Sequence, residues 1–222
     1  MKGLLIHVGE YLSPAIINEE KPETYKLEYA KFDDEGVASK GISHIDPEFK
    51  GYTYGDDPNN RIKKNLAKLD IGDHIFFMWT FLGKHSQEKL RYIPAYLKIK
   101  EITTVREILE KSLGNSLPYC HNDHVREALH GKQEERKFTI FVGEKKHSGL
   151  CKSPLRLDKK LVEKLELRNG SGALIASEIG KKRDRNGRIM TEIEVINVYT
   201  RVPKIINETQ VLTILGEMKC LC

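Results

Sequence analysis

Runs and alternations of hydrophobic residues along the chain predict a sheet built from separate short strands. Residues 2–8 and 74–81 are almost continuously apolar, which is typical of strands covered on both faces. Residues 91–101 place apolar side chains at alternate positions, and residues 137–142 form a further short apolar run. We therefore expect these four segments to form one mixed or antiparallel sheet.

Capping signals predict short helices between the strands. A threonine opens residues 104–113, and an asparagine opens residues 122–129, so both segments begin with a residue that accepts a hydrogen bond from a free helical N–H. Residues 157–165 have helical spacing of apolar side chains, and residues 210–215 fit a short helix or strand. The helices are thus expected to flank the sheet.

Other segments have patterns typical of extended structure. Residues 25–32 alternate aromatic or aliphatic side chains with charged ones, and residues 173–179 look extended. Asn186-Gly187 is a strong hairpin signal, with residues 188–199 predicted as the returning strand. Together these elements predict an α+β fold, with residues 1–222 forming a single domain.

The composition, 39% hydrophobic and 31% charged, is that of a folded chain. No apolar run is long enough to cross a membrane, and the first residues do not resemble a secretory leader. The sequence therefore predicts a cytoplasmic protein without a membrane partner.

The net charge of +5 is unevenly distributed. Residues 1–60 have 6 basic and 12 acidic side chains, whereas residues 61–222 have 31 basic and 20 acidic ones. Such an uneven distribution of charge can produce one positive face, which would suit an anionic partner such as nucleic acid or a nucleotide. A solvated surface rich in lysine and glutamate would give the same counts.

The cysteine spacing matches no zinc finger or ribbon, and reduced thiols are expected. The four cysteines are Cys120, Cys151, Cys220 and Cys222.

A long segment rich in glycine and proline, residues 33–60, contains the first candidate cluster. An irregular connection of that length is usually functional. His44, Asp46 and Asp56 are predicted to transfer protons there, since a carboxylate can orient an imidazole. Tyr54 is predicted to stack on a base. Alternatively, the carboxylates cap turns and the tyrosine covers the core.

The second cluster lies at the start of the predicted helix 122–129. His124 is a further candidate for proton transfer, and Asn122 and Arg126 are candidates for binding substrate. Free backbone N–H groups at the helix start, with Arg126, could hold a phosphate or carboxylate. A capped helix with exposed polar residues is the alternative.

A metal site is a weak alternative for this cluster. Cys120 adjoins His121, which is three residues before His124, but helical zinc pairs are usually four apart and no further ligand is marked by spacing. We therefore predict no metal, and no cofactor is specified.

The third cluster surrounds the predicted hairpin turn and would suit the phosphates of a nucleic-acid backbone. Its members are Lys181, Lys182, Arg183, Arg185 and Arg188. An ordinary solvated turn would look the same. Elsewhere the chain lacks the motifs of P-loop NTPases, dinucleotide-binding folds and serine hydrolases.

Several short motifs follow one another in a characteristic order. They are Val8-Gly9 with Ser13-Pro14, His44 to Pro47 with Tyr54 to Asp56, Gly72-Asp73 leading to Trp79, Tyr92 to Tyr96, Asn122 to Arg126, Val142-Gly143, and Ser148 to Leu150.

In this order they resemble the nucleotide-modification-associated domains, in particular the third type, over roughly residues 1–160. Residues 181–222 show no such resemblance. The family is linked by gene context to making or handling modified bases. The resemblance therefore implies a role in modifying a nucleic-acid base or a nucleotide.

Two other classes of protein remain open. Residues 72–79 and 91–102 also resemble the small β-barrels of PUA and EVE type, which read RNA or modified bases without chemistry. Trp79, Tyr54 and Tyr92 would then stack on the base. A structural protein without a small-molecule site is the third class.

For the enzyme and reader hypotheses alike, we expect the first two clusters to converge on one cleft. The predicted members of that cleft are His44, Asp46, Tyr54, Asp56, Asn122, His124 and Arg126.

Overall fold

The computed structural model describes residues 1–8, 15–17, 20–21, 47–57 and 64–218. The strands are β1 (Gly3–His7), β2 (Ala15–Ile17), β3 (Thr53–Asp56), β4 (His74–Gly83), β5 (Lys89–Thr104), β6 (Thr139–Gly143), β7 (Gly149–Arg156) and β8 (Lys204–Ile206). The helices are α1 (Val105–Glu110), α2 (Asp123–Leu129), α3 (Lys159–Lys164), α4 (Ile175–Glu178), α5 (Glu192–Tyr199) and α6 (Glu208–Glu217). The predicted strand 25–32, and His44 and Asp46, lie outside the described residues.

The strands form one mixed sheet in the order β3-β6-β5-β4-β1-β8, with β2 beside β4 and β7 beside β5. β1 and β2 run parallel to β4, and the other pairs are antiparallel. The four strands expected from the sequence are all present as β1, β4, β5 and β6. The predicted α+β class and mixed sheet are confirmed.

Side chains on the two faces of the sheet enter different cores. In β1, Leu5 packs in a core with the C-terminal helices, for example against Val211 and Ile214 of α6. Its neighbours Leu4 and Ile6 pack in a second core on the opposite face. This alternation explains the continuous apolar run of β1, since a strand covered on both faces has no polar side.

Helices α1 and α2 form a third cluster over β6, around Val105, Val125 and Ile140. Both expected caps are present. Thr104 and Glu107 form a reciprocal capping box, and Asn122 Oδ1 accepts from the Val125 N–H at 3.3 Å. The helix predicted for residues 157–165 is α3.

Two extended predictions were wrong. Residues 188–199, expected as a strand, contain α5, because Thr191 and Glu194 form a capping box that starts a helix. Within residues 173–179, the turn of α4 replaces extended backbone. The turn at Asn186-Gly187 exists, with a positive φ of 80° at Gly187, but only an isolated bridge from Arg183 to Ile189 closes it. The β-branched residues of α5 favour a strand when the sequence is considered alone, but the capping box at the start of the segment favours a helix.

Within the part of the chain that the structure describes, no helix has the length and apolar composition needed to span a bilayer.

Candidate functional site

The edge strand β3 lies against the start of α2, which brings together parts of the two predicted clusters. Asn122 is fully buried and joins the two elements. Its Nδ2 donates to Thr53 Oγ1 at 3.1 Å, while its Oδ1 caps α2. One side chain therefore fixes the position of the helix start on the strand.

Gly55 allows the imidazole of His124 to lie directly on β3. A Cβ at this position would lie 2.4 Å from His124 Cδ2 and 2.9 Å from Ile140 Cδ1, well inside van der Waals contact. Only glycine fits without moving the ring. The glycine of the Tyr-Gly-Asp motif is thus explained by a close approach.

His124 also forms a buried pair with Glu135. Its Nδ1 lies 2.6 Å from Glu135 Oε2, and the ring stacks on Phe138 with centroids 4.0 Å apart and an interplanar angle of 20°. Both members of the pair are less than 10% exposed. In the neutral imidazole, Nδ1–H donates to this carboxylate and Nε2 carries the lone pair. A histidine oriented in this way is suited to transferring a proton.

Sequence reasoning missed Glu135, Phe138 and Thr53. Glu135 belongs to the charged run of residues 132–137, which looks like a solvated surface. These residues form a 3-10 turn, Gln133–Lys137, that directs the carboxylate inward. Nothing in the local pattern distinguished the buried glutamate from its exposed neighbours.

Tyr54 and Asp56 lie on the opposite face of β3 from His124. The Tyr54 hydroxyl donates to the Asp56 carboxylate, and its ring contacts Phe77 and Phe141 at centroid distances of 5.2 and 6.3 Å. Successive side chains of a strand point to opposite faces, so residues 53 and 55 face α2 while residues 54 and 56 face the second core. The predicted residues are therefore close in space but divided by the strand.

The remaining predicted binding residues have different surroundings. Arg126 is half-exposed on α2, and its Nη1 lies 3.3 Å from Asp123 Oδ1. Trp79 is half-buried and packs beside Phe81 and Tyr92. Tyr92, the third stacking candidate, is itself buried in that cluster.

Among the described residues, no three His, Cys, Asp or Glu side chains are arranged so that they could hold a metal ion. Cys120 is a free thiol, and His124 is held by Glu135.

The basic turn is partly neutralised by its own neighbours. Arg188 pairs with Asp184 at 3.0 Å and with Glu194 at 2.6 Å. The hydrogen bond from Arg188 lowers the pKa of Glu194 to about 2. Lys182 Nζ lies 5.5 Å from the centre of the Tyr199 ring. Lys181, Arg183, Arg185 and Arg188 are exposed, whereas Lys182 is half-buried.

Residues 20–171 match the family model "nucleotide modification associated domain 3". The match covers more than half of the chain, so this protein belongs to that family. The matched region begins and ends later than the expected range of roughly 1–160, and β1 lies outside it. No curated protein and no solved structure matches the chain.

Proposed function

We propose that this chain modifies a nucleic-acid base or a nucleotide, with His124 as the proton-transfer group and Glu135 as its positioning residue. The name of the family supports a role in nucleotide modification. The observation that carries the chemical part is the buried contact of 2.6 Å between His124 Nδ1 and Glu135 Oε2. It would keep the proton on Nδ1 and leave Nε2 as the base.

The burial of the pair bears on the form of the substrate. His124 is only 4% exposed, so a reacting group must enter the protein interior to meet it. A single nucleotide, or a base turned out of its stack, satisfies this requirement, whereas a stacked base in a duplex does not.

The other predicted residues complete the proposal. His44, Asp46 and Asp56 would supply further acid–base groups, while Tyr54, Trp79, Asn122 and Arg126 would contact the substrate. Lys181, Lys182, Arg183, Arg185 and Arg188 would follow a nucleic-acid backbone. Asn122 also has a structural role, because its hydrogen bond to Thr53 holds the start of α2 against β3.

Mass spectrometry of nucleosides tests the proposal. DNA, RNA and free nucleotides from cells that express the wild-type chain are digested and compared with those from cells that express His124→Gln. We expect a modified nucleoside that His124→Gln abolishes and Glu135→Gln lowers about a hundredfold, since oriented acid–base catalysis contributes on that order.

His121→Gln is the matched control, because His121 precedes the same helix but lies on the partly exposed 3-10 turn Tyr119–His121. It should leave the yield unchanged. Equal yields from wild type and His124→Gln would contradict the proposal. Nucleotide binding by the wild type without any product would instead indicate a reader of the PUA or EVE kind.

A further inference from the structure

A group of cations without acidic partners lies on β7 and on the turn that precedes this strand. Residues 145–157 contain three lysines and one arginine but no Asp or Glu. All four basic residues are exposed, and none of them forms an ion pair with an acidic side chain of the described residues. The four residues, which we call the β7 cations, are Lys145, Lys146, Lys152 and Arg156.

The acidic residues nearest in sequence already have other partners. One carboxylate oxygen of Glu144 lies 3.0 Å from Lys98 Nζ, and the other lies 3.1 Å from His147 Nδ1. Asp158 Oδ1 caps α3, where it accepts a backbone N–H at 2.9 Å. The β7 cations are therefore not neutralised by these neighbours, whereas Arg188 of the basic turn has two acidic partners.

The pairing of β7 keeps these cations close together. Gly149 lies opposite Tyr96 of β5, and Arg156 lies opposite Tyr92. Tyr92 and Tyr96 are four residues apart, or about 13 Å at the usual rise of a strand. Seven residue steps of β7 thus face four of β5, and the irregular part contains Lys152. Within the described residues β7 has no second strand beside it, so the cations lie along an edge of the sheet.

This edge lies on the same side of β5 as the candidate functional site. β6 and β7 pair with successive parts of β5. Ile140 of β6 packs at Gly55, where the ring of His124 lies against the sheet. Gly143 is three residues further along β6, or about 10 Å, and Lys145 follows two residues later. A chain of a few nucleotides is long enough to join the two places.

We propose that the β7 cations bind the phosphates of a single-stranded nucleic acid next to the base that enters the site of His124. The choice of partner rests on the proposed function, because only a base outside a stacked duplex can reach this buried histidine. Ammonium and guanidinium groups neutralise phosphates without reading sequence, so this surface would position the strand rather than select it. Basic residues on an edge strand can instead serve only to prevent aggregation, and binding measurements separate the two roles.

Fluorescence anisotropy of a labelled oligothymidylate, about 15 nucleotides long, tests the surface. We expect the wild type to bind it with an affinity that falls as salt rises, because each neutralised phosphate releases counterion. Lys152→Ala/Arg156→Ala should weaken binding about tenfold, which is a modest loss for two charged contacts. The slope of log affinity against log salt should become flatter by about 1.4, the value for two phosphates of a single strand. A duplex of equal length should bind the wild type more weakly, since its stacked bases cannot enter the site.

Lys68→Ala/Arg106→Ala is the matched control, because it removes the same two charges from exposed positions elsewhere on the chain. It should change the affinity by less than about twofold, since distant exposed charges are screened. Both double variants should keep the thermal midpoint of the wild type, because all four positions are exposed.

The inference is overturned if the wild type does not bind oligothymidylate at low salt, if the duplex binds more tightly, or if the two double variants bind alike. His124→Gln should bind as the wild type does. Binding without any modified nucleoside would contradict the proposed reaction alone, whereas a modified nucleoside with binding that does not depend on the β7 cations would contradict this inference alone.

Discussion

Two buried histidines, His124 beside α2 and His74 at the start of β4, have different surroundings. Each is 4% exposed. His124, beside α2, has a carboxylate oxygen 2.6 Å from its Nδ1. His74, at the start of β4, stacks with Phe76 and Tyr96 at centroid distances of 5.9 and 6.2 Å, and within the described residues its Nδ1 has no hydrogen-bond partner.

This difference decides what each imidazole can do. Burial lowers the pKa of His74 to about 4, with a further contribution from Lys98, so that this ring stays neutral at pH 7 and behaves as an aromatic core residue. His124 is given a carboxylate that orients it and can stabilise its protonated form. Both histidines are buried, and it is the carboxylate of Glu135 that makes His124 the candidate for proton transfer.

The largest loss of stability should come from adding a side chain at Gly55, where the ring of His124 lies against β3. Gly55→Ala places a methyl group 2.4 Å from the ring and should lower the free energy of unfolding by about 3 kcal/mol, at the upper end for an overpacked core. Denaturant unfolding at equilibrium measures the change.

Gly216→Ala is the control from the C-terminal helix α6, where an added Cβ meets nothing within 4 Å. It should be neutral or stabilise by up to about 1 kcal/mol, because alanine is a better helix former. Equal stability of Gly55→Ala and the wild type would show that the ring is free to move away from β3.

The second effect concerns His74 and pH. Its pKa is lower in the folded protein than the ordinary value of 6.5, so the unfolded chain takes up the proton first as the pH falls. Wild-type stability should therefore decline between pH 6.5 and pH 4, by about 2–3 kcal/mol from this residue.

His74→Leu removes the titrating group and the unpartnered nitrogen together. The difference in unfolding free energy between this variant and the wild type should shift in favour of the variant as the pH falls from 7 to 4. A constant difference across that range would mean that His74 has a hydrogen-bonded, accessible ring in solution.

The smallest effect belongs to the ion pairs of the basic turn. Glu194 has a folded pKa of about 2, below its ordinary value of 4.5, so its contribution is present above pH 4.5 and lost as the pH falls toward 2. Because Arg188 and Glu194 are both well exposed, Glu194→Gln should cost less than about 1 kcal/mol at pH 7.

Salt provides the second measurement on this pair. The loss should shrink at high ionic strength, since exposed charges are screened. A loss that is larger, and insensitive to salt, would show that the turn is buried against another surface.

Local patterns predicted much of the fold but less of the candidate site. The strands β1 and β4 and the cap at Asn122 depend on neighbours in sequence, so their patterns are visible in a short window. Glu135 could not be found, because its burial depends on a turn that packs against α2. The separation of Tyr54 from His124 follows from strand alternation at Gly55, and it becomes visible only once β3 is recognised as a strand.

The position of β1 has a consequence for how the chain acquires its structure during synthesis. β1 pairs with β4 on one side and, through Gly3 and Ile206, with β8 on the other, so strands that are far apart in sequence are neighbours in the sheet. Such nonlocal pairing delays folding, because the intervening chain must be made and its ends brought together. β1 cannot complete its pairing on this side until β8 has been made, so the sheet closes here only after both strands are available.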